Sequence, residues 1–546
     1  MKNIVTMPKG LNLFLAIIIA VLTTGFLRLQ LVSGLPQVDE GMYIFATQYL
    51  YHILVNDESL GSAPLLLYQF MNSWVYGYDI NQIIMLRAID GLVAITASIV
   101  LFKIILKESN SKLFTVILMV PLLIILNDIE VIEYGFRNSI WAAYLPLFTA
   151  LLVWQHSTKD DKYSFYLIGG LVSVGVLLRE PFLSFFLLIA LALYISYGWR
   201  VLFKYLIGSA VVGFSVLGFV LMLRGSNLIE LFDSYITYGN AIGRQQWKFP
   251  FLIIELNWFI FVTSLISLVY IFKLYLSDKK LVNMRRFYFW LAIAILPLVE
   301  YYSKLGLMYH FSNCLIGLAG LSAMGWKLVN IHESKKIQAS TILFISLLSL
   351  VVILMALKEE VDKEEKIYSL SDLSTWIKNP GTFRSSNTLE RSQMSAVAAQ
   401  VYNHSRADST LAVDGYWTHI YSLTGLLPPK NNPESDYHPY RLSDLRAFSG
   451  AFNYSGADKE ETIDKLFKLL MDYRPTIILA TPKDSEIFSL LPYAIEKTNL
   501  YQIVSEVPGR FSYADFYIDR TVEPGTDPVG WMAATIYRLK DFQKER

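Results

Sequence analysis

Residues 11–26 read LNLFLAIIIAVLTTGF. No charge interrupts the run. With its flanks it is long enough to cross a bilayer core, which takes roughly 20 apolar residues of helix. It also has the length of a secretory signal with flanks, but it lacks a small-residue cleavage site. The reading is therefore a retained transmembrane helix over 11–33. The same ruler finds ten more spans, at 82–104, 112–127, 137–156, 163–180, 181–198, 203–223, 251–276, 287–303, 305–327 and 337–357. Composition agrees. The 546 residues are 54% apolar and 17% charged, with mean hydropathy +0.41, whereas a soluble chain is about 25% charged. These values exclude a disordered chain and argue against an ordinary cytosolic enzyme. The expected fold class is a membrane all-α bundle of about eleven transmembrane helices, followed by a C-terminal α/β domain.

Lys and Arg number 47 against 46 Asp and Glu, so no basic surplus suggests nucleic-acid binding. The single cysteine, Cys314, excludes an intramolecular disulfide and a Cys-rich metal site, and reads as a small buried apolar residue. The sidedness of the basic residues sets an orientation. With the N-terminus cytoplasmic, one set of loops and span ends holds Lys2, Lys9, Lys103, Lys107, Lys112, Lys159, Lys162, Arg200, Lys204, Lys273, Lys279, Lys280, Arg285, Arg286, Lys327, Lys335 and Lys336. The opposite set, up to residue 357, holds only Arg137, Arg179, Arg224, Arg244, Lys248 and Lys304. Cytoplasmic loops are enriched in Lys and Arg, and an odd number of spans then puts residues 358–546 outside.

The chain accordingly divides into a membrane domain, 1–357, and an extracytoplasmic α/β domain, 358–546. The connector KEEVDKEEK begins the second part. STLAVDG, 409–415, reads as a short buried strand; KLFKLLMDYRPTIILAT, 465–481, reads as an amphipathic helix, a turn and an apolar strand. The N-x-S triplets at Asn403 and Asn453 suit glycosylation in a eukaryotic lumen, but such triplets are common by chance.

The first outer loop, 34–81, is unusual. From Gly34 to Leu86 there is no Lys or Arg, while Asp39, Glu40, Asp57, Glu58 and Asp79 are present. It opens GLPQVDEGMYIFATQYLYHIL, and the part after the acid pair, with Tyr43, Ile44, Tyr49 and Tyr51, reads as a helix lying on the membrane. A carboxylate at the water–lipid boundary can reach both a soluble acceptor and a donor whose phosphate sits at headgroup depth. It could take the proton from an attacking hydroxyl. The plainer reading is that the two acids solvate a loop end or cap a helix.

Several segments together resemble the GT-C superfamily of polytopic glycosyltransferases, which includes the protein O-mannosyltransferases and the lipid A aminoarabinose transferase. They are VDEGMY at 38–43, GSAPLLLY at 61–68, RAIDG at 87–91, LREPF at 178–182, YHFSN at 309–313, YSLTGLLPP at 421–429 and YRPTIILAT at 473–481. The resemblance implies a sugar donor carried on polyprenyl phosphate, an acceptor that is a lipid, a glycan or a protein, and residence in a bacterial plasma membrane. It makes Asp39 the catalytic base and gives Glu40 a supporting role, holding the base or a divalent Mg, Mn or Ca ion. It also implies a further acid in the next outer loop, NDIEVIEYGFRNS at 127–139, supplied by Asp128, Glu130 or Glu133. Glu133 and Arg137 equally suit an i,i+4 pair.

A leaving phosphate calls for cations. The outer side offers Arg179, Arg244, Lys248, Lys304 and His310; contact with lipid headgroups explains any one of them as well. Arg87 and Asp90, one turn apart in the second span, read first as a mutually neutralising pair. Two other classes compete. A transporter or flippase of lipid-linked saccharides would favour Gly/Pro-broken spans in matching halves, which are not seen. A polysaccharide polymerase or ligase would favour a large outer loop between late spans.

Overall fold

The computed structural model describes residues 9–28, 43, 44, 47, 67–75, 80–127, 140–158, 160, 161, 163–179, 182–224, 251–277, 283–295, 297, 308–362, 388–413, 417, 419–429, 459–483, 490–509 and 533–540. Contacts divide the chain into two compact units. The first comprises Met1–Val32, Arg87–Gly218 and Tyr238–Glu364; the second comprises Ser33–Leu86, Phe219–Thr237 and Glu365–Arg546.

The helices are α1 (Lys9–Ala20), α2 (Leu67–Met71), α3 (Ile80–Ser109), α4 (Lys112–Leu126), α5 (Ile140–His156), α6 (Ser164–Leu178), α7 (Leu183–Tyr197), α8 (Trp199–Arg224), α9 (Phe251–Ser277), α10 (Met284–Ile295), α11 (Met308–His332) and α12 (Lys335–Asp362). Each of the eleven apolar stretches read from the sequence overlaps one of these helices. Among the described residues, five helices are long and apolar enough to cross a membrane: Ile83–Ser109, Trp199–Phe219, Trp258–Ser277, Cys314–His332 and Lys335–Met355. Shorter apolar helices cover Asn12–Arg28, Lys112–Leu126, Ser164–Leu178 and Leu183–Tyr197. These are the proportions of an integral membrane protein. The helices at 80–109, 199–224 and 308–332 run past the apolar stretches that announced them, because a helix continues into its polar flanks while hydropathy marks only its apolar middle.

Small residues let the helices of the first unit touch backbone to backbone. A Cβ on Gly169 of α6 would stand 2.1 Å from the Tyr205 carbonyl oxygen of α8, and one on Gly208 would stand 2.1 Å from that of Tyr166. Two hydroxyls close the same crossing, Ser173 Oγ to Ser209 O at 3.0 Å and Ser209 Oγ to Gly169 O at 3.1 Å. On α11, Gly317 abuts Ala294 and Gly320 abuts the Trp290 ring of α10, while Gly325 abuts Ser267 of α9. Small residues serve this purpose where lipid removes the hydrophobic drive for helices to associate.

In the second unit, α13 (Thr388–His404), β1 (Leu411–Val413), α14 (His419–Thr424), α15 (Lys459–Tyr473), β2 (Ile477–Ala480), α16 (Leu491–Thr498), β3 (Tyr501–Val507) and β4 (Ala534–Leu539) follow in chain order. The sheet has the order β1-β2-β4-β3. Strands β1 and β2 are parallel, with Leu411 opposite Ile477, and the β2–β4 and β3–β4 pairs are antiparallel. LAV and IILA are buried throughout, as continuous apolar runs in covered strands should be. Arg474, at φ 42°, turns the chain from α15 into β2. Ile463, Leu466 and Leu470 recur at helical spacing and pack with Ile478, Leu491 and Ile495. The helix, turn and strand read from 465–481, and the strand read from 409–415, are therefore present.

Candidate functional site

Helix α1 passes through a π-helical stretch, Val21–Gly25, before it resumes to Arg28. Such bulges are frequent at functional sites because they re-aim the following side chains. Here Thr24 is 0% exposed and Arg28 is 5% exposed. Arg28 Nη1 donates to Asp90 Oδ2 of α3 at 3.2 Å, and its Nε donates to Asn127 Oδ1 at 3.1 Å. Asn127 is the C-cap of α4. Its amide nitrogen donates to Thr24 Oγ1 at 3.2 Å and to Leu123 O at 2.7 Å, and Thr24 meets Ser98 Oγ at 2.9 Å. Arg87, one turn before Asp90, is buried as well. Three helices are thus tied by one guanidinium inside the bundle. Such a pair is held by its hydrogen bonds, because removing either partner strands a charge away from water.

Glu108 lies 18 residues further along α3, about 27 Å at 1.5 Å per residue, close to the ~30 Å depth of a hydrocarbon core. It binds Arg286 Nη1 of α10 at 3.2 Å and accepts from Gln155 Nε2 of α5 at 2.8 Å. Lys107 donates to the Gln155 carbonyl oxygen. At neighbouring helix ends Arg285 donates to Ser196 O at 3.3 Å, Lys204 to Asp161 O at 3.4 Å, and Lys273 pairs with Glu333 at 3.4 Å. Five of the seventeen lysines and arginines that the sequence grouped on one side therefore bond across to neighbouring segments.

Arg179 caps α6 with extended backbone and is 9% exposed. Its carbonyl oxygen accepts from Phe182 N at 3.1 Å. Phe182 joins Tyr144 at 5.3 Å and Phe185 at 5.4 Å between ring centroids, and Tyr144 stacks on Phe148 at 4.9 Å. Phe182, just beyond the end of α6, therefore belongs to a cluster of aromatic rings.

Of the other residues singled out in the sequence, Asp39, Glu40, Asp128, Glu130, Glu133, Arg244, Lys248 and Lys304 lie outside the described residues. His310 belongs to the first turn of α11. Among the described residues, no cluster of three or more His, Cys, Asp or Glu could hold a metal ion. Asp90 has a partner that the one-turn spacing to Arg87 did not reveal, namely Arg28 from another helix. The available signal was Arg28 itself, an arginine inside a predicted span. Gln69 of α2 was missed too. It is 0% exposed, and neither amide atom has a hydrogen-bond partner among the described residues. A lone amide in the apolar run PLLLYQF was its mark.

No family model matches the chain. No curated protein matches it either. Among solved structures, it is similar to the crystal structure of ArnT from Cupriavidus metallidurans bound to undecaprenyl phosphate. The similarity covers 99% of this chain and 100% of that chain, at 10% sequence identity and a TM-score of 0.47.

Proposed function

We propose that the chain is a polytopic glycosyltransferase of the GT-C type. It moves a sugar from a polyprenyl-phosphate donor to a lipid, glycan or protein acceptor at the outer face of a bacterial plasma membrane. The observation that carries this reading is the buried joint of Arg28, Asp90 and Asn127. Asp90 belongs to the RAIDG segment of the family resemblance. From this joint the chain continues after Arg28 toward Asp39 and Glu40, and after Asn127 toward Asp128, Glu130 and Glu133. A rigid root for acid-bearing loops is what a positioned base requires.

In this reading the Asp39 carboxylate takes the proton of the acceptor hydroxyl as that oxygen attacks the anomeric carbon. The bond from that carbon to the phosphate oxygen breaks, the phosphate leaves with the electron pair, and the anomeric centre inverts. Arg179, Arg244, Lys248, Lys304 and His310 are the cations available to the developing phosphate charge. Glu40 orients the base or would hold a divalent cation. Residues 1–357 form the membrane domain, with the N-terminus in the cytoplasm, and 358–546 form the outer α/β domain. The stapling of Lys107, Lys204, Lys273, Arg285 and Arg286 at neighbouring helix ends supports that orientation.

The test is release of polyprenyl phosphate from a panel of labelled lipid-linked sugars, by purified wild type and Asp39→Asn, with and without chelator. Wild type is expected to turn over at least one donor and the variant to lose activity by a factor of about 10² or more. Full activity in Asp39→Asn removes the residue from its role. If wild type turns over no donor while lipid-linked sugar crosses liposomes, the protein is a transporter.

A further inference from the structure

Exposure along α3 follows a helical stripe. Leu92 is 64% exposed, Thr96 is exposed, and Ile99, Lys103, Leu106 and Lys107 are half-buried, so that openness recurs every three or four residues. Between them Ala94, Ala97, Leu101, Ile104 and Ile105 are sealed at 0%. The open side of a helix this long and apolar faces hydrocarbon. Yet Lys103 and Lys107 stand on that side, one turn apart. Neither ammonium has an ion-pair partner among the described residues, and Lys103 makes no hydrogen bond to them either. Lys107 gives one of its three N–H groups to the Gln155 carbonyl oxygen. The Glu108 carboxylate beside it is already taken, by Arg286 Nη1 at 3.2 Å and by Gln155 Nε2 at 2.8 Å. Lys107 lies within electrostatic reach of that same Arg286 guanidinium as well as of Glu108. Three cations thus gather around one carboxylate.

Like charges four residues apart on a helix repel. A lone lysine near a helix end escapes the hydrocarbon by extending toward water, but for Lys103 that path leads to Lys107. An anion between the two ammonium groups turns the repulsion into charge-assisted hydrogen bonds to both. The rest of the stripe says what carries the anion. Leu92 and Ile99 are apolar, and the Thr96 hydroxyl is spent on Leu92 O at 2.8 Å, so the surface leading to the lysines suits a hydrocarbon chain. We propose that Lys103 and Lys107 clasp the phosphate of an anionic phospholipid, with its acyl chains along Ile99, Thr96 and Leu92. Arg286, whose side chain is 35% exposed, adds a third positive charge beside the headgroup. Basic residues at the end of a transmembrane helix attract anionic headgroups in this manner. The site is distinct from the outer-loop acids and stands independently of the transferase reading.

Native mass spectrometry of the full chain in detergent, titrated with equimolar phosphatidylglycerol and phosphatidylcholine, tests the site. Phosphatidylcholine carries the same phosphodiester but would set its own cation beside the lysines. Wild type should therefore retain phosphatidylglycerol over phosphatidylcholine by about tenfold. Lys103→Gln and Lys107→Gln should each cut that preference by roughly fivefold, while Lys103→Arg keeps it. Equal retention of the two lipids by wild type overturns the site, and so does a preference that survives both glutamine variants unchanged. Excess inorganic phosphate should leave the lipid in place; if it displaces the lipid and binds in its stead, the lipid assignment is overturned. Should either glutamine variant fail to fold, the other decides alone.

Discussion

The helical unit and the α/β sheet are built inside out with respect to each other. The helical unit presents Leu187, Leu191, Leu347 and Leu354 on its surface, each about half exposed or more, and keeps Arg28, Asp90, Asn127 and Ser98 inside. The sheet region keeps Leu466, Leu470, Ile478 and Ile495 inside and carries Glu461 and Lys465 as an exposed i,i+4 pair. The difference follows from the solvent each was built for. In water, burying apolar area drives packing, at roughly 25 cal/mol per Å². In lipid that drive vanishes between helices, so close backbone approach and internal hydrogen bonds must select which helices meet.

If this contrast is right, a polar substitution should do most damage in the helices and an apolar truncation most in the sheet. Asp90→Leu leaves Arg28 buried without its carboxylate and should cost about 3–5 kcal/mol. The Arg28→Met/Asp90→Leu double variant should recover much of that loss. Thermal unfolding in detergent reads the cycle; a double variant as unstable as the single one would mean that the pair is not the unit of stability. In the sheet, Leu470→Ala should cost about 3 kcal/mol by opening a cavity between α15 and β2. Near-native melting there would show that the sheet is not held by this core.

The smallest effect has the opposite sign. The Tyr501 hydroxyl is buried with no hydrogen-bond partner among the described residues, and burial raises its pKa well above the ordinary value near 10, with Arg474 opposing the shift only in part. A raised folded-state pKa contributes stability that is complete below pH ~10 and is lost as pH climbs toward the folded value. Tyr501→Phe should therefore raise stability by up to about 1 kcal/mol near neutrality and flatten the decline above pH ~10. A pH series of melts on the two proteins checks both; parallel alkaline declines would assign the titration to another group.

The elements were more legible in the sequence than their partnerships. Apolar run length located each helix of the bundle to within a few residues at most ends, since a helix in lipid satisfies its own backbone and needs only an apolar exterior. LAV and IILA announced the covered strands, and the amphipathic stretch that begins at Lys465 announced α15. The part played by Arg28 was not legible. The one-turn spacing drew Asp90 only to Arg87, whereas Arg28, which also donates to Asp90, lies 62 residues away in sequence.

By itself the sequence determined that the chain forms membrane-length helices and that two apolar strands frame an amphipathic helix. Each of these is a local property, set by a side chain's preference for lipid, water or core. The tertiary structure alone decided that Arg28 joins Asp90 and Asn127, that Gly169 and Gly208 let α6 and α8 touch, and that Phe114 stacks on Trp326. Those outcomes depend on which helix faces which and at what depth. That choice rests on shape and hydrogen-bond geometry between distant segments, which no local window of sequence contains.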